Sequence, residues 1–285
     1  MNANPKPAAT AGTVQLGDLR VNRLGLGAMR ATTDGRDIWG PPRDRAGARK
    51  FLRRALDLGV NFIDTADSYG PHTSETCIAE ALHPYPGDLV IGTKGGLVRP
   101  SAPRWDPDGR PEHLRRAIDG SLKRLKLECI DLYQLHAPDP KVPLAESVGA
   151  LADAQRAGKI RHLGLSNVSV KELEAARKIA LIVSVQNEYN IDLRESEDVL
   201  KACERLGIAF IPWYPLGDGA ALKSRKVKRA AAKLGATPAQ VALAWLLSHS
   251  AAMLPIPGTS SITHLEENAA AAALKLSREN LTELT

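Results

Sequence analysis

The chain has few cysteines: Cys77, Cys129 and Cys203 stand alone in 285 residues, too far apart to pair on a metal and odd in number. That excludes a disulfide framework and a structural zinc site. Aromatic residues are also scarce, at 4%, and the basic residues are spread along the chain, so a formal charge of +6 does not read as a nucleic-acid surface. A phosphate-bearing cofactor is the more economical partner. No apolar run is long enough to span a bilayer, and residues 1–12, rich in Ala, Pro and Asn, lack the apolar stretch of a secretory signal. The expectation is a cytoplasmic monomer with no membrane partner. No linker rich in Ser, Gly and Pro divides the middle, so residues 13–285 are expected to form one domain behind a flexible segment, 1–12.

What is present is alternation. Short apolar runs at 24–28, 61–66, 88–94, 130–136, 160–167, 182–187, 209–215 and 252–258 are each followed by helical periodicity, at 44–58, 74–83, 112–126, 145–157, 169–180, 196–206, 225–248 and 262–272. Gly59, Gly158 and Gly207 sit where helices should end. Near-continuously apolar strands alternating with helices predict a parallel sheet covered by helices, and eight such units predict an α/β fold closed as a (β/α)8 TIM barrel. Ahead of them, residues 14–21 read as a β-hairpin turning at Gly17-Asp18 and closing the barrel base. A doubly wound dinucleotide fold fits less well, because Gly25-Leu26-Gly27 runs into Ala28, Met29 and Arg30 without a third glycine.

Barrel enzymes carry their chemistry at the C-terminal ends of the strands. Here those ends are polar: Asp64 with Tyr69 just beyond it, Lys94, His136, Ser166-Asn167, Gln186-Asn187 and Trp213-Tyr214. Singly, Asp64 reads as a loop cap, Lys94 as a solvated strand end and His136 as a core histidine. The barrel, however, brings adjacent strand ends to one point. There the Lys94 ammonium would lower the Tyr69 phenol, Asp64 would keep Lys94 charged, and His136 would donate a hydrogen bond to a carbonyl oxygen. Such a set protonates an oxygen as hydride reaches the carbon.

These residues resemble the aldo-keto reductase family. The resemblance runs through Asn61-Phe62-Ile63-Asp64-Thr65-Ala66-Asp67-Ser68-Tyr69-Gly70, Ile91-Gly92-Thr93-Lys94 and Tyr133-Gln134-Leu135-His136. It continues in Gly164-Leu165-Ser166-Asn167, Val185-Gln186-Asn187, Pro215-Leu216-Gly217 and Ile256-Pro257-Gly258-Thr259 through Glu267-Asn268. Within the family, Gly40-Pro41-Pro42-Arg43-Asp44, Tyr69-Gly70-Pro71-His72 and Gln186-Asn187-Glu188-Tyr189-Asn190 are most similar to the bacterial pyridoxal reductases (pyridoxine 4-dehydrogenases). The resemblance implies a nicotinamide-dependent carbonyl reductase with Asp64, Tyr69, Lys94 and His136 as its catalytic residues.

By the same resemblance, Ser166, Asn167 and Gln186 hold the carboxamide, Trp213 stacks on the ring, and Tyr214, Pro215 and Leu216 belong to the cofactor loop. Tyr214 stands where the family commonly has Ser. Gly258 and His264 replace the Lys and Arg of many NADPH-selective members, which leaves Thr259, Ser260, Ser261 and His264 as donors, with Glu267 and Asn268 on the adenosine. The expectation is NADPH, with NADH weaker. The basic run Lys223, Arg225, Lys226, Lys228 and Arg229 reads as a solvated helix face, with Lys223 or Arg225 within reach of the phosphates. A small carbonyl substrate would meet Met29, Trp39 and Trp105, the last in the variable 97–111 loop. Two other functions compete: a lyase forming a Schiff base at Lys94, and a nucleotide-bound sensor without turnover.

Overall fold

The computed structural model describes residues 6–35 and 37–284. Seven parallel strands form one sheet in chain order: β1 (Leu26–Gly27), β2 (Phe62–Asp64), β3 (Val90–Gly95), β4 (Ile130–Leu135), β5 (Ile160–Ser166), β6 (Ile182–Glu188) and β7 (Ala209–Trp213). The eighth segment, expected as a strand over 252–258, is not a regular strand. It still joins the two edges and closes the (β/α)8 barrel. On the β7 side the Phe210 amide donates to Ala252 O and the Leu254 amide to Phe210 O, both at 2.9 Å. On the β1 side the Gly25 and Gly27 amides donate to Pro255 O at 3.0 Å and Pro257 O at 3.4 Å. Pro255 and Pro257 have no N–H to return, so the ladder cannot be completed there.

The outer layer holds α1 (Arg45–Asp57), α2 (Thr73–Leu82), α3 (Pro111–Leu125), α4 (Leu144–Arg156), α5 (Val170–Arg177), α6 (Glu197–Leu206), α7 (Arg225–Leu234), α8 (Pro238–His249) and α9 (Ile262–Ala270). The single helical stretch expected over 225–248 is two helices. Gly235 ends α7, and Thr237 opens α8 with a capping box to Gln240 and Pro238 in its first turn.

The barrel interior is apolar at its base. Phe62, Val90, Leu132, Val183, Ala209, Ile211, Leu254 and Ile256 pack there with Leu16 and Val21 of the antiparallel hairpin, Thr13–Leu16 paired with Leu19–Asn22. The hairpin thus plugs the base as expected. Residues 1–5 of the segment expected to be flexible lie outside the described residues, but Pro7–Ala11 form a 3-10 helix. Ala8 is fully buried, and its amide donates to Leu58 O at 2.9 Å. Small alanines fit a shallow groove that a composition rich in Ala and Pro does not advertise. With its base filled and a helical layer outside, the barrel is left one polar end.

Candidate active site

Strand register builds that end. β2 pairs with β3, placing Asp64 opposite Gly92, and β3 pairs with β4, placing Lys94 opposite Gln134. Asp64 closes β2, Lys94 lies near the end of β3, and His136 follows β4. The Lys94 Nζ donates to Asp64 Oδ2 at 2.7 Å, to Thr65 O at 2.9 Å and to Tyr69 Oη at 3.3 Å. The Tyr69 and His136 rings stand edge to face, 5.8 Å apart. The four expected residues are therefore brought together.

Burial sets their protonation. It pushes the Lys94 ammonium down, but the neighbouring Asp64 carboxylate and Tyr69 outweigh it and leave the lysine above its ordinary value. Tyr69 corrects the expectation of a lowered phenol: burial raises it, the Lys94 charge opposes this, and the net direction is upward. A fully protonated phenol at neutral pH follows. Burial, then the Lys94 charge, drives His136 well below the usual histidine range, so its ring is neutral. The Ser68 hydroxyl lies 3.4 Å from His136 Nδ1; when the hydroxyl donates there, the ring proton sits on Nε2.

Several supporting side chains escaped the sequence reading. Asp64 Oδ1 accepts from Gln186 Nε2 at 2.8 Å and from Gln134 Nε2 at 3.3 Å, so the carboxylate oxygen turned away from Lys94 is also satisfied. Gly164 makes room for this layer: a Cβ there would fall 2.3 Å from Ser184 Oγ and 2.9 Å from the Gln134 side chain. Behind β3, buried Glu75 accepts from Thr93 Oγ1 and from Arg124 Nε, both at 2.6 Å, which ties α2 and α3 to the strand carrying Lys94. Asp67 is buried beside them, and burial followed by the Glu75 charge raises its carboxyl well above the usual range.

The quartet opens into a cavity of about 520 Å3. Its wall includes Ser166, Asn167, Gln186, Trp213, Tyr214, Pro215, Leu216, Gly258, Thr259, His264, Glu267 and Asn268 from the expected cofactor set. Ser260 and Ser261 are not part of it: Ser260 is exposed, and Ser261 caps α9, its Oγ accepting from the His264 amide. Asn167 spends its amide within the protein, donating to His136 O at 2.9 Å and accepting from the Trp213 indole N–H at 3.0 Å. Lys223 and Arg225 are exposed and outside the wall. The cation the sequence reading overlooked is Arg30, paired with Asp218 at 3.0 Å.

A dinucleotide fits this lining. Gly258 leaves bare backbone at the wall, where a Cβ would press to 3.2 Å from Gly27 O, while Arg30 and the starts of α8 and α9 offer positive charge for phosphate. Met29, Leu97 and Trp105 line the end near Tyr69, with Trp105 edge-on to Tyr69 at 6.1 Å. Trp39, expected in the substrate pocket, lies outside the wall and is 40% exposed. It packs instead over the Arg99 guanidinium.

Known proteins share this architecture. The chain is 46% identical over 282 residues to pyridoxine 4-dehydrogenase of Escherichia coli, covering 96% of this chain and 98% of that protein. It is 49% identical over 278 residues to an uncharacterized oxidoreductase of Schizosaccharomyces pombe, covering 97% and 90%. An aldo-keto reductase from Klebsiella pneumoniae, solved in complex with NADPH, superposes with a TM-score of 0.81 at 28% identity, covering 95% of this chain and 93% of that one. Residues 23–285 match the Aldo/keto reductase family, and with that span and these identities the chain belongs to that family of oxidoreductases.

Proposed function

We propose that the protein reduces a small planar aldehyde of the pyridoxal class to its alcohol with NADPH, Tyr69 supplying the proton. The observation that carries this is the Lys94 ammonium, buried and directed at Tyr69 Oη from 3.3 Å while Asp64 and Thr65 O take its other hydrogens. A bound nicotinamide supplies hydride to the carbonyl carbon. Tyr69 gives its proton to the carbonyl oxygen, and the adjacent ammonium stabilises the phenolate left behind. Neutral His136 orients the same oxygen by donating a hydrogen bond from Nε2.

Ser166 and Gln186 suit the carboxamide, and Trp213 suits the ring face. With Ser260 and Ser261 outside the cavity, Thr259, His264 and Arg30 are the groups that favour an added phosphate. One charge-assisted contact of this kind favours NADPH over NADH by about tenfold. The pyridoxal reading draws on the relative named pyridoxine 4-dehydrogenase and on the Trp105 side of the cavity. The reading takes the protein as a cytoplasmic monomer.

Against the lyase stands Lys94 itself. A Schiff base needs a free amine, whereas this lysine is held charged and triply hydrogen-bonded. The test is kcat/KM for pyridoxal and a panel of simple aldehydes with each nicotinamide cofactor. Turnover with NADPH preferred is expected. Borohydride trapping of substrate on Lys94 without NADPH oxidation would install the lyase, and tight NADPH binding without turnover on any aldehyde would install the sensor.

A further inference from the structure

Arg99 has no part in the chemistry above, yet it is 7% exposed and no carboxylate is paired with it among the described residues. Its guanidinium does three things at once. It donates from Nη2 to Asp37 O at 2.7 Å, from Nη1 to Ile38 O at 3.2 Å and from Nε to Arg104 O at 2.9 Å. It lies over the Trp105 ring, 3.8 Å from its centre, and over the Trp39 ring at 5.3 Å. The loop it grips is strained: Ile38, β-branched and buried, has φ of 54°. Such a conformation persists only where the surroundings over-determine it. The same loop reaches the catalytic strand end, because the Gly40 amide donates to Gly70 O at 2.9 Å, next to Tyr69.

Trp105 is where this matters. Its indole stands edge-on to Tyr69 at 6.1 Å and to His136 at 6.4 Å, so its position sets the width of the substrate end of the cavity. The ribbon that carries it is short, Leu97–Val98 paired with Asp106–Pro107, and cannot hold a large exposed ring by itself. We infer that Arg99 is a specificity-determining positioning residue: it bolts residues 37–40 to the 97–107 ribbon and holds Trp105 as a flat wall that selects planar aromatic carbonyl substrates. This rests on the reductase activity proposed above. A guanidinium suits the task because its planar fork reaches three carbonyls while its face stacks on indole.

The test compares kcat and KM for pyridine-4-carbaldehyde and propanal, with tryptophan emission, in the wild type, Arg99→Met, Arg99→Lys, Trp105→Ala and the double variant. An aromatic wall is worth enough that Arg99→Met should lower the aromatic-to-aliphatic ratio of kcat/KM about tenfold, chiefly through the aromatic KM. Arg99→Lys should recover part of the ratio, and emission should change as the stacked cation is lost. Trp105→Ala should lower the ratio while leaving Arg99 its three carbonyl partners, and Arg99→Met added to it should lower the ratio little further, because the arginine acts through that ring. An unchanged ratio in Arg99→Met, additive losses in the double variant, or a wild type that prefers propanal would overturn the inference while leaving the reductase in place. A wild type that reduces neither aldehyde removes the reductase reading and the inference together.

Discussion

The two ends of the barrel each hold an ion pair built on an aspartate, in opposite settings. At the catalytic end the Lys94 and Asp64 side chains are 0% and 3% exposed and also bond to Thr65 O, Gln134 and Gln186. At the base Asp18, in the hairpin turn, meets Arg161 and His162 of β5 with 62% of its side chain exposed. Hydrogen bonds from Arg161 and then His162 hold the Asp18 carboxyl far below its usual range, yet water can replace either partner. No such replacement exists around Lys94. The basal cluster adjusts a proton affinity, whereas the apical pair keeps two charges in a place from which water is excluded.

Removing one partner at each end should separate the two roles. Lys94→Met strands Asp64 among amides and should cost about 3–5 kcal/mol of stability, the usual outcome of breaking a buried pair. Turnover should be lost as well. Asp18→Asn should leave both the melting temperature and kcat close to wild type. Thermal melts with matched kinetics decide it, and equal destabilisation by the two variants would abolish the distinction drawn here.

A smaller change tests whether the apical end divides stability from chemistry. Tyr69→Phe removes one hydroxyl whose partner, Lys94, keeps two other acceptors. The melting temperature and the Kd for NADPH should hold, while kcat for reduction falls on the order of 10²-fold or more, as for the loss of a general acid. Retained activity would move the proton donor elsewhere.

The smallest effect concerns Asp67, at the same end, to which no cation is bonded among the described residues. Its buried carboxyl keeps its proton above the ordinary value of 3.8, so its contribution to stability is complete below that value and is lost as pH rises through the raised one. Asn cannot ionise. Asp67→Asn should therefore melt like the wild type at about pH 4 and above it at about pH 8. A gain that shrinks with rising pH would show that burial does not govern this group.

Much of this was legible in the sequence because strand ends in a barrel are neighbours by construction. Asp64, Lys94 and His136 each end an apolar run, and topology does the rest. Gln134 was hidden in the middle of such a run, where nothing local separates a satisfied interior amide from a mistake in the strand. Glu75, Thr93 and Arg124 come from three elements, and only packing brings them together. Arg99 looks like any loop arginine until Trp105 of its own ribbon and the distant Trp39 pack against it. The direction of the Tyr69 shift depends on how dry the site is, a quantity no motif carries. The α7–α8 break was present in the sequence as Gly235, Thr237 and Pro238, but the apolar period continues across it.

The incomplete eighth rung has a kinetic face. Where Pro255 and Pro257 meet β1, the protons that guard the contact belong to Gly25 and Gly27, whereas the β7 contact is guarded by amides from both partners, Phe210 and Leu254. Solvent isotope exchange therefore reads the two seams of the barrel differently. Exchange at the Gly25 and Gly27 amides reports parting of the β1 seam from the first strand's side alone, and the segment concerned runs directly into Gly258 and Thr259 of the cavity wall.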